Sequence, residues 1–170
     1  MRAFIDIVLS EGYEAVTVER VAERADVGRS TFYMHYRGKE DILKRSLTYP
    51  SSHLVAILGA DAAPQALLPV LAHFQEQRRV DRVFLDWPIR PIWAKCLGEM
   101  MEPRLAALVR QTRARPLLPV KLIALQIAEA QIALVVHWLL AHAQLKPEPV
   151  AEALIAQTRA LQASLLRAAP

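Results

Sequence analysis

Two short apolar-faced segments, separated by a four-residue break, constrain this chain more than any other feature. Val18, Val21, Ala22 and Ala25 recur at helical spacing and give one apolar face. Thr17 stands before them as an N-cap, and Glu19 puts a carboxylate in the first turn, where the helix dipole favours it. Ala25-Asp26-Val27-Gly28 breaks the pattern, and its second residue needs a positive φ, which Asp tolerates better than most non-glycine residues. Arg29 to His35 reads as a second short helix with Phe32 and Tyr36 turned inward. Gly38 interrupts it, and Lys39-Glu40-Asp41 opens a third helix. Two short helices joined by such a turn form a helix-turn-helix, whose second helix can enter the DNA major groove.

The residues that carry this pattern are Gly12-Tyr13, Thr17, Val21-Ala22, Ala25-Asp26-Val27-Gly28, Thr31-Phe32-Tyr33-Met34-His35-Tyr36 and Lys39-Glu40. At this spacing they resemble the DNA-binding domain of the TetR family of bacterial transcriptional regulators, over roughly the first 50 residues. Two positions depart from the family pattern. Asp26 stands where the family usually has Gly, and Gly28 where it usually has Ser. Gly remains a serviceable N-cap, only a few tenths of a kcal/mol worse than Ser, but it removes a hydroxyl that could reach a phosphate. In TetR-like proteins the first helix is usually longer and follows a basic arm. Here it starts at Arg2, which leaves a truncated N-terminus, a misassigned start or an omitted arm as the readings. Loss of an arm would remove phosphate contacts without erasing sequence preference.

Composition narrows the class. The 170 residues fit one domain or a small head on a larger body, and 54% of them are apolar, enough for a core and a buried subunit interface. One cysteine, Cys96, forbids an intramolecular disulfide and suits a reducing cytoplasm. Asp6 and Glu11 interrupt the first apolar segment, so it does not read as a signal peptide. The longest apolar run, Ile132 to Ala141, includes His137 and is too short to span a bilayer. The net charge of +4 does not come from the head. Residues 1–49 hold eight Lys/Arg and eight Asp/Glu, leaving 13 basic and 9 acidic residues for 50–170. What favours DNA is local: Arg29, His35, Arg37 and Lys39 lie in a stretch from Gly28 to Lys39 with no acid.

Beyond Glu40 nearly everything reads as helix punctuated by proline. The joining helix runs to about Tyr49, where Pro50-Ser51-Ser52 interrupts or kinks it. His53 to Leu58 is a short apolar piece, and Gly59 to Pro64 is a loop. Pro64 to Arg78 follows, with Leu67, Leu68, Leu71 and Phe74 on one side. Val80 to Trp87 is a further segment, Pro88 and Pro91 bracket a bend, and Ile92 to Met101 resumes. Pro103 to Arg115 carries Leu105, Leu108 and Val109, with Glu102-Pro103 as a break or a kink. Val120 to Gln144 is apolar on more than one face and therefore buried on nearly all sides, with a second copy of the chain as its further cover. Lys146 to Pro149 breaks the chain before a last amphipathic helix, Val150 to Arg167. No run shows strand alternation. The expectation is an all-α protein of about nine helices, divided into a helix-turn-helix head (1–49) and a ligand-binding and dimerisation bundle (50–170). Trp138-Leu139, Pro147-Glu148 and the closing helix also resemble, loosely, the dimerisation region of TetR-family regulatory domains.

For a TetR-like head the resemblance and the chemistry together nominate Thr17, Arg29, Ser30, Thr31, Tyr33, His35 and Lys39 as DNA-binding residues. Arg29 and Ser30 open the recognition helix, and Arg29 could make a bidentate contact to guanine O6 and N7, worth about 1–3 kcal/mol of discrimination; its competing role is a phosphate contact alone. Thr31, Tyr33, His35 and Lys39 match family positions that hold register on phosphate or sugar. Thr17 can aim the first amides of its helix at a phosphate besides capping it. In the body, Phe74, Phe84, Trp87, Trp93, Met100 and Trp138 are candidate lining residues for an apolar or aromatic small molecule, with ordinary core packing as the competing role. His137 and His142 are five apart and do not form a helical metal pair, no Gly-rich phosphate loop exists among the five scattered glycines, and no catalytic constellation or cofactor site is read. The expected function is a cytoplasmic, dimeric DNA-binding regulator. The resemblance implies a repressor on a near-palindromic operator, released by a small ligand. The alternative is a helical dimeric interaction or ligand-carrier module with a vestigial head.

Overall fold

A computed structural model describes residues 1–59, 61–76, 89–142 and 144–167. Among these the chain is all-helical apart from one very short ladder. The head contains α1 (Arg2–Glu11), a 3-10 turn (Tyr13–Ala15), α2 (Val18–Arg24) and α3 (Arg29–His35). Phe4, Ile7 and Val8 of α1, Val21 and Ala22 of α2, and Phe32 of α3 are buried together with Tyr13 and Val16. α4 (Lys39–Ala56) then leads from the head into the body. The body adds a 3-10 turn (Pro64–Ala66), α5 (Leu68–Glu76), α6 (Ile89–Thr112), α7 (Val120–Ala141) and α8 (Pro147–Leu165). α6 packs along α7, and α4 and α8 pack against that pair.

Where the sequence left a break and a kink both open, at Pro50 and Pro103, the helix continues through the proline. α4 continues through Pro50, which is buried, so His53 to Leu58 is not a separate piece and the expected division at 49/50 falls inside one helix. An internal proline costs a helix about 3 kcal/mol or more. Burial of Leu47, Ser51, Leu54 and Val55 around Pro50 offsets that loss. Pro91 lies in the first turn of α6, where a missing N–H matters least, rather than at a bend. Pro103 lies within the same helix, so Ile92 to Met101 and Pro103 to Arg115 are one element. Pro103 and Glu99, four residues earlier, are both exposed, which leaves the orphaned carbonyl on the water side. The Pro64 to Arg78 segment divides into a 3-10 turn and α5, and the last helix starts earlier than expected, at Pro147. The expected Val80 to Trp87 segment lies outside the described residues.

Two features escaped the sequence reading altogether. Arg113 takes a left-handed conformation (φ 53°) after α6, and Ala114 N–H then closes on Val109 O at 3.2 Å, which ends the helix before Arg115. Arg115–Pro116 next pairs antiparallel with Leu166–Arg167, and Leu117 N–H donates to Leu165 O at 2.9 Å. This two-residue ladder ties the entry to α7 to the end of α8, and it is too short to leave an alternating pattern in sequence. α7 starts at Val120 as expected and ends at Ala141, three residues before Gln144; by length and composition its 22 residues could cross a membrane, which the run from Ile132 to Ala141 taken alone did not suggest. It is the central helix of the body, with Ile123, Ile127, Ile132, Val135 and Leu139 buried.

Candidate nucleic-acid interface

The geometry of the head follows from its caps. Thr17 is extended and its Oγ1 accepts from Arg20 N–H at 3.3 Å, as an N-cap should. At the other end of α2, Asp26 has φ 53°, Asp26 N–H donates to Glu23 O at 3.1 Å, and Val27 N–H donates to Ala22 O at 3.0 Å. These two bonds are the Schellman closure, with aspartate in the left-handed position that glycine usually fills. Gly28 has an ordinary extended backbone and caps α3 without a side-chain bond. Phe32, 4% exposed, anchors α3 to the head and meets Tyr33 edge-on and Tyr36 at a tilt, with ring centroids 5.5 and 5.6 Å apart. Tyr36 is only partly buried. Asp41 then fixes the turn into α4, accepting from Arg37 N–H at 3.1 Å and from Arg45 Nη2 at 3.3 Å. The Arg37 amide first, and then Arg45, hold the Asp41 carboxyl below its ordinary range.

This scaffold presents Arg29, Ser30, Tyr33 and His35 to solvent on α3, with Thr31 half-buried and Thr17 exposed at the start of α2. It brings Thr17, Glu19 and Arg29 together. Arg29 Nη2 lies 3.1 Å from Glu19 Oε1. The Glu19 backbone amide, and after it Arg29 and the Thr17 hydroxyl, hold the Glu19 carboxyl below its ordinary range. The pair is exposed and therefore weak, so it does not keep Arg29 from a bidentate guanine contact. Lys39 is placed differently from its sequence reading. Its Nζ lies 4.7 Å over the Tyr13 ring, donates to Tyr13 O at 3.4 Å and stands 4.0 Å from Glu14 Oε2. It ties α4 to the turn after α1. Burial, followed by the carboxylates of Glu40 and Glu14, pushes the Tyr13 phenol up to about 12.

Of the body residues expected to line a ligand site, Phe84 and Trp87 lie outside the described residues. Phe74 and Trp93 meet, with centroids 6.0 Å apart, and the buried Trp93 Nε1 donates to Ser51 Oγ of α4 at 3.0 Å. Trp138 is buried elsewhere, and its Nε1 donates to Leu145 O at 3.1 Å across the α7–α8 turn. Met100 is partly buried against the core. An open groove of about 460 Å³ lies where α4, α6 and α8 end, lined among others by Leu58, Leu108, Thr112, Arg159 and Gln162. None of the four described candidates borders it. The sequence missed this groove because its walls come from residues about fifty positions apart. Cys96 is half-buried, and burial pushes its thiol up, away from the thiolate. Among the described residues no three His, Cys, Asp or Glu side chains are grouped to hold a metal ion.

The sequence model of the family described as "Bacterial regulatory proteins, tetR family" matches residues 8–45, which run from the end of α1 through α2 and α3 into α4. The head is that of the TetR family. A curated relative, the HTH-type transcriptional regulator TcmR of Streptomyces glaucescens, is 38% identical over 42 residues, 25% of this chain and 19% of TcmR. The match thus spans about a fifth of that relative's length. Two solved structures share the fold along most of the chain. One is a TetR transcriptional regulator of Streptococcus agalactiae (TM-score 0.57, 24% identity, 92% of this chain and 89% of that one). The other is Thermus thermophilus FadR, a TetR-family transcriptional repressor in complex with lauroyl-CoA (TM-score 0.56, 18% identity, 99% of this chain and 95% of that one). The TetR-type architecture therefore extends beyond the recognised head into a body whose sequence carries little of the signal.

Proposed function

We propose that this chain is a DNA-binding transcriptional regulator that acts as a homodimer and responds to a small apolar or aromatic molecule. The observation that carries this reading is the exposed face of α3. Arg29, Ser30, Tyr33 and His35 stand clear of the core while Phe32 fixes the helix from behind. Two such helices about one DNA turn apart, roughly 34–36 Å, would read a near-palindromic site. Leu122, Leu125 and Leu140 of α7 are exposed in a single chain, as are Ala153, Ala156 and Ala160 of α8, and this supports pairing of copies through these helices. The TetR-family relative bound to lauroyl-CoA makes an acyl-CoA the first effector to try, and repression released by ligand the first mode to test. α4 joins both ends of the argument. It begins just after α3, where Asp41 accepts from Arg37 N–H, is held to Trp93 through Ser51, and ends at the groove beside Leu58. A ligand that binds one position of α4 better than another would change the spacing of the heads by that difference in affinity.

Selection from random duplex DNA with the full chain tests the reading. Enrichment of a palindrome is the expected result. No enrichment at low salt would favour the carrier module with a vestigial head, a reading supported by the balance of eight basic and eight acidic residues in 1–49. Arg29→Ala should then relax preference at one position of each half-site; uniform weakening on all sequences would assign Arg29 to phosphate alone.

A further inference from the structure

One side chain on the outer face of α3 is neither a base nor a donor. Met34 is 75% exposed, the highest value among the large apolar side chains described. At 3.6 residues per turn, positions two before and two after Phe32 both point about 160° away from it. Those positions are Ser30 and Met34. With Phe32 buried at 4%, the outermost ridge of the helix is therefore Ser30–Met34, with Arg29 and Tyr33 along one flank and Thr31 and His35 along the other.

We propose that Met34 is a specificity-determining residue that packs on the C5-methyl group of a thymine in each half-site. The inference rests on the DNA-binding reading of α3 and adds the base that it reads. A thioether has no N–H or O–H, so Met34 cannot donate to a phosphate or to a base edge. Among the groups that base pairs present in the major groove, the thymine methyl is the apolar one. The surroundings fit nucleic acid better than a protein partner: Ser30 shares the outer ridge with Met34, Arg29, Thr31 and His35 lie on its flanks, and Arg37 follows in sequence, so the stretch carries donors and positive charge but no acid. The unbranched chain also lets the methyl group settle without moving the helix.

The test starts from the site selected by the full-length protein. Each thymine is replaced singly by uracil, which deletes only the methyl, and affinity is measured for the wild type and for Met34→Ala. One thymine per half-site should be sensitive, with wild-type binding weakened about fourfold, the equivalent of one buried methyl-sized group. Met34→Ala should be indifferent to the same replacement. Met34→Ala removes exposed atoms, so its melting temperature should match the wild type. A selected site with no uracil-sensitive thymine, or one to which Met34→Ala is equally sensitive, overturns the assignment while leaving the regulator standing. Failure to select any site overturns both.

Discussion

The head and the body of this molecule solve the same problem by opposite means. In the head, short helices are held by caps and by local bonds: Thr17 to Arg20, Asp26 to Glu23, Val27 to Ala22, and Asp41 to Arg37. Its buried residues are few, and the outer face of α3 stays exposed, with Arg29, Ser30, Tyr33, Met34 and His35 on it. In the body, long helices are held by distant contacts. Trp93 reaches Ser51, and the buried Gln131 donates to Thr158 Oγ1 at 2.9 Å and to Leu54 O at 3.5 Å. Gln162 donates to Leu58 O and Arg159 to Ala62 O, so α8 grips the chain just beyond α4. Local rules thus shape the head, and long-range packing shapes the body.

The comparison can be broken most forcefully in the body. Trp93→Ala removes a fully buried indole and leaves Ser51 without its partner. It should cost about 3–5 kcal/mol of unfolding free energy in urea titration; a loss under ~1 kcal/mol would mean that the body does not depend on this packing. Gly98→Ala is the next test. A Cβ at Gly98 would sit 3.3 Å from Leu125 Cα, the backbone of a neighbouring helix. Alanine normally gains a helix about 1 kcal/mol over glycine, but overpacking costs about 1–3 kcal/mol, so a net loss of roughly 1 kcal/mol is expected. A stabilised variant would show that α6 and α7 are not so closely apposed. The head should respond in the other direction to a local change. Asp26→Gly relieves an exposed, left-handed aspartate, and should stabilise by about 0.5–1 kcal/mol, less than the full left-handed penalty because glycine also frees the unfolded chain. A measurable loss would show that the Asp26 side chain has a role beyond its backbone.

Legibility in the sequence follows the same division. Thr17 as cap, Asp26 at positive φ, Phe32 inward and the helix from Arg29 to His35 were all readable, because each depends on residues within five positions. Pro91 was misread as part of a bend, and for Pro50 and Pro103 the sequence left a break and a kink both open, because a proline's local preference is overridden when the surrounding helix buries enough surface, or when its orphaned carbonyl meets water. The Arg115–Leu166 ladder and the groove beside Leu58 were invisible, since their parts meet only after α6, α7 and α8 have packed. The chemistry-bearing side chains divide likewise. Arg29 and Tyr33 stand where their helix positions put them, whereas Lys39 turned onto Tyr13, twenty-six residues earlier in the chain.

The sequence by itself determined the helix-turn-helix, its register and the all-helical class, because caps, turn conformations and apolar periodicity act over one or two helical turns. Only the tertiary structure decided which prolines a helix absorbs, that Trp93 and Gln131 would hold α4, and that Lys39 would turn onto Tyr13. Those outcomes depend on what surrounds a residue in space, and burial is a property of the assembled chain rather than of any stretch within it.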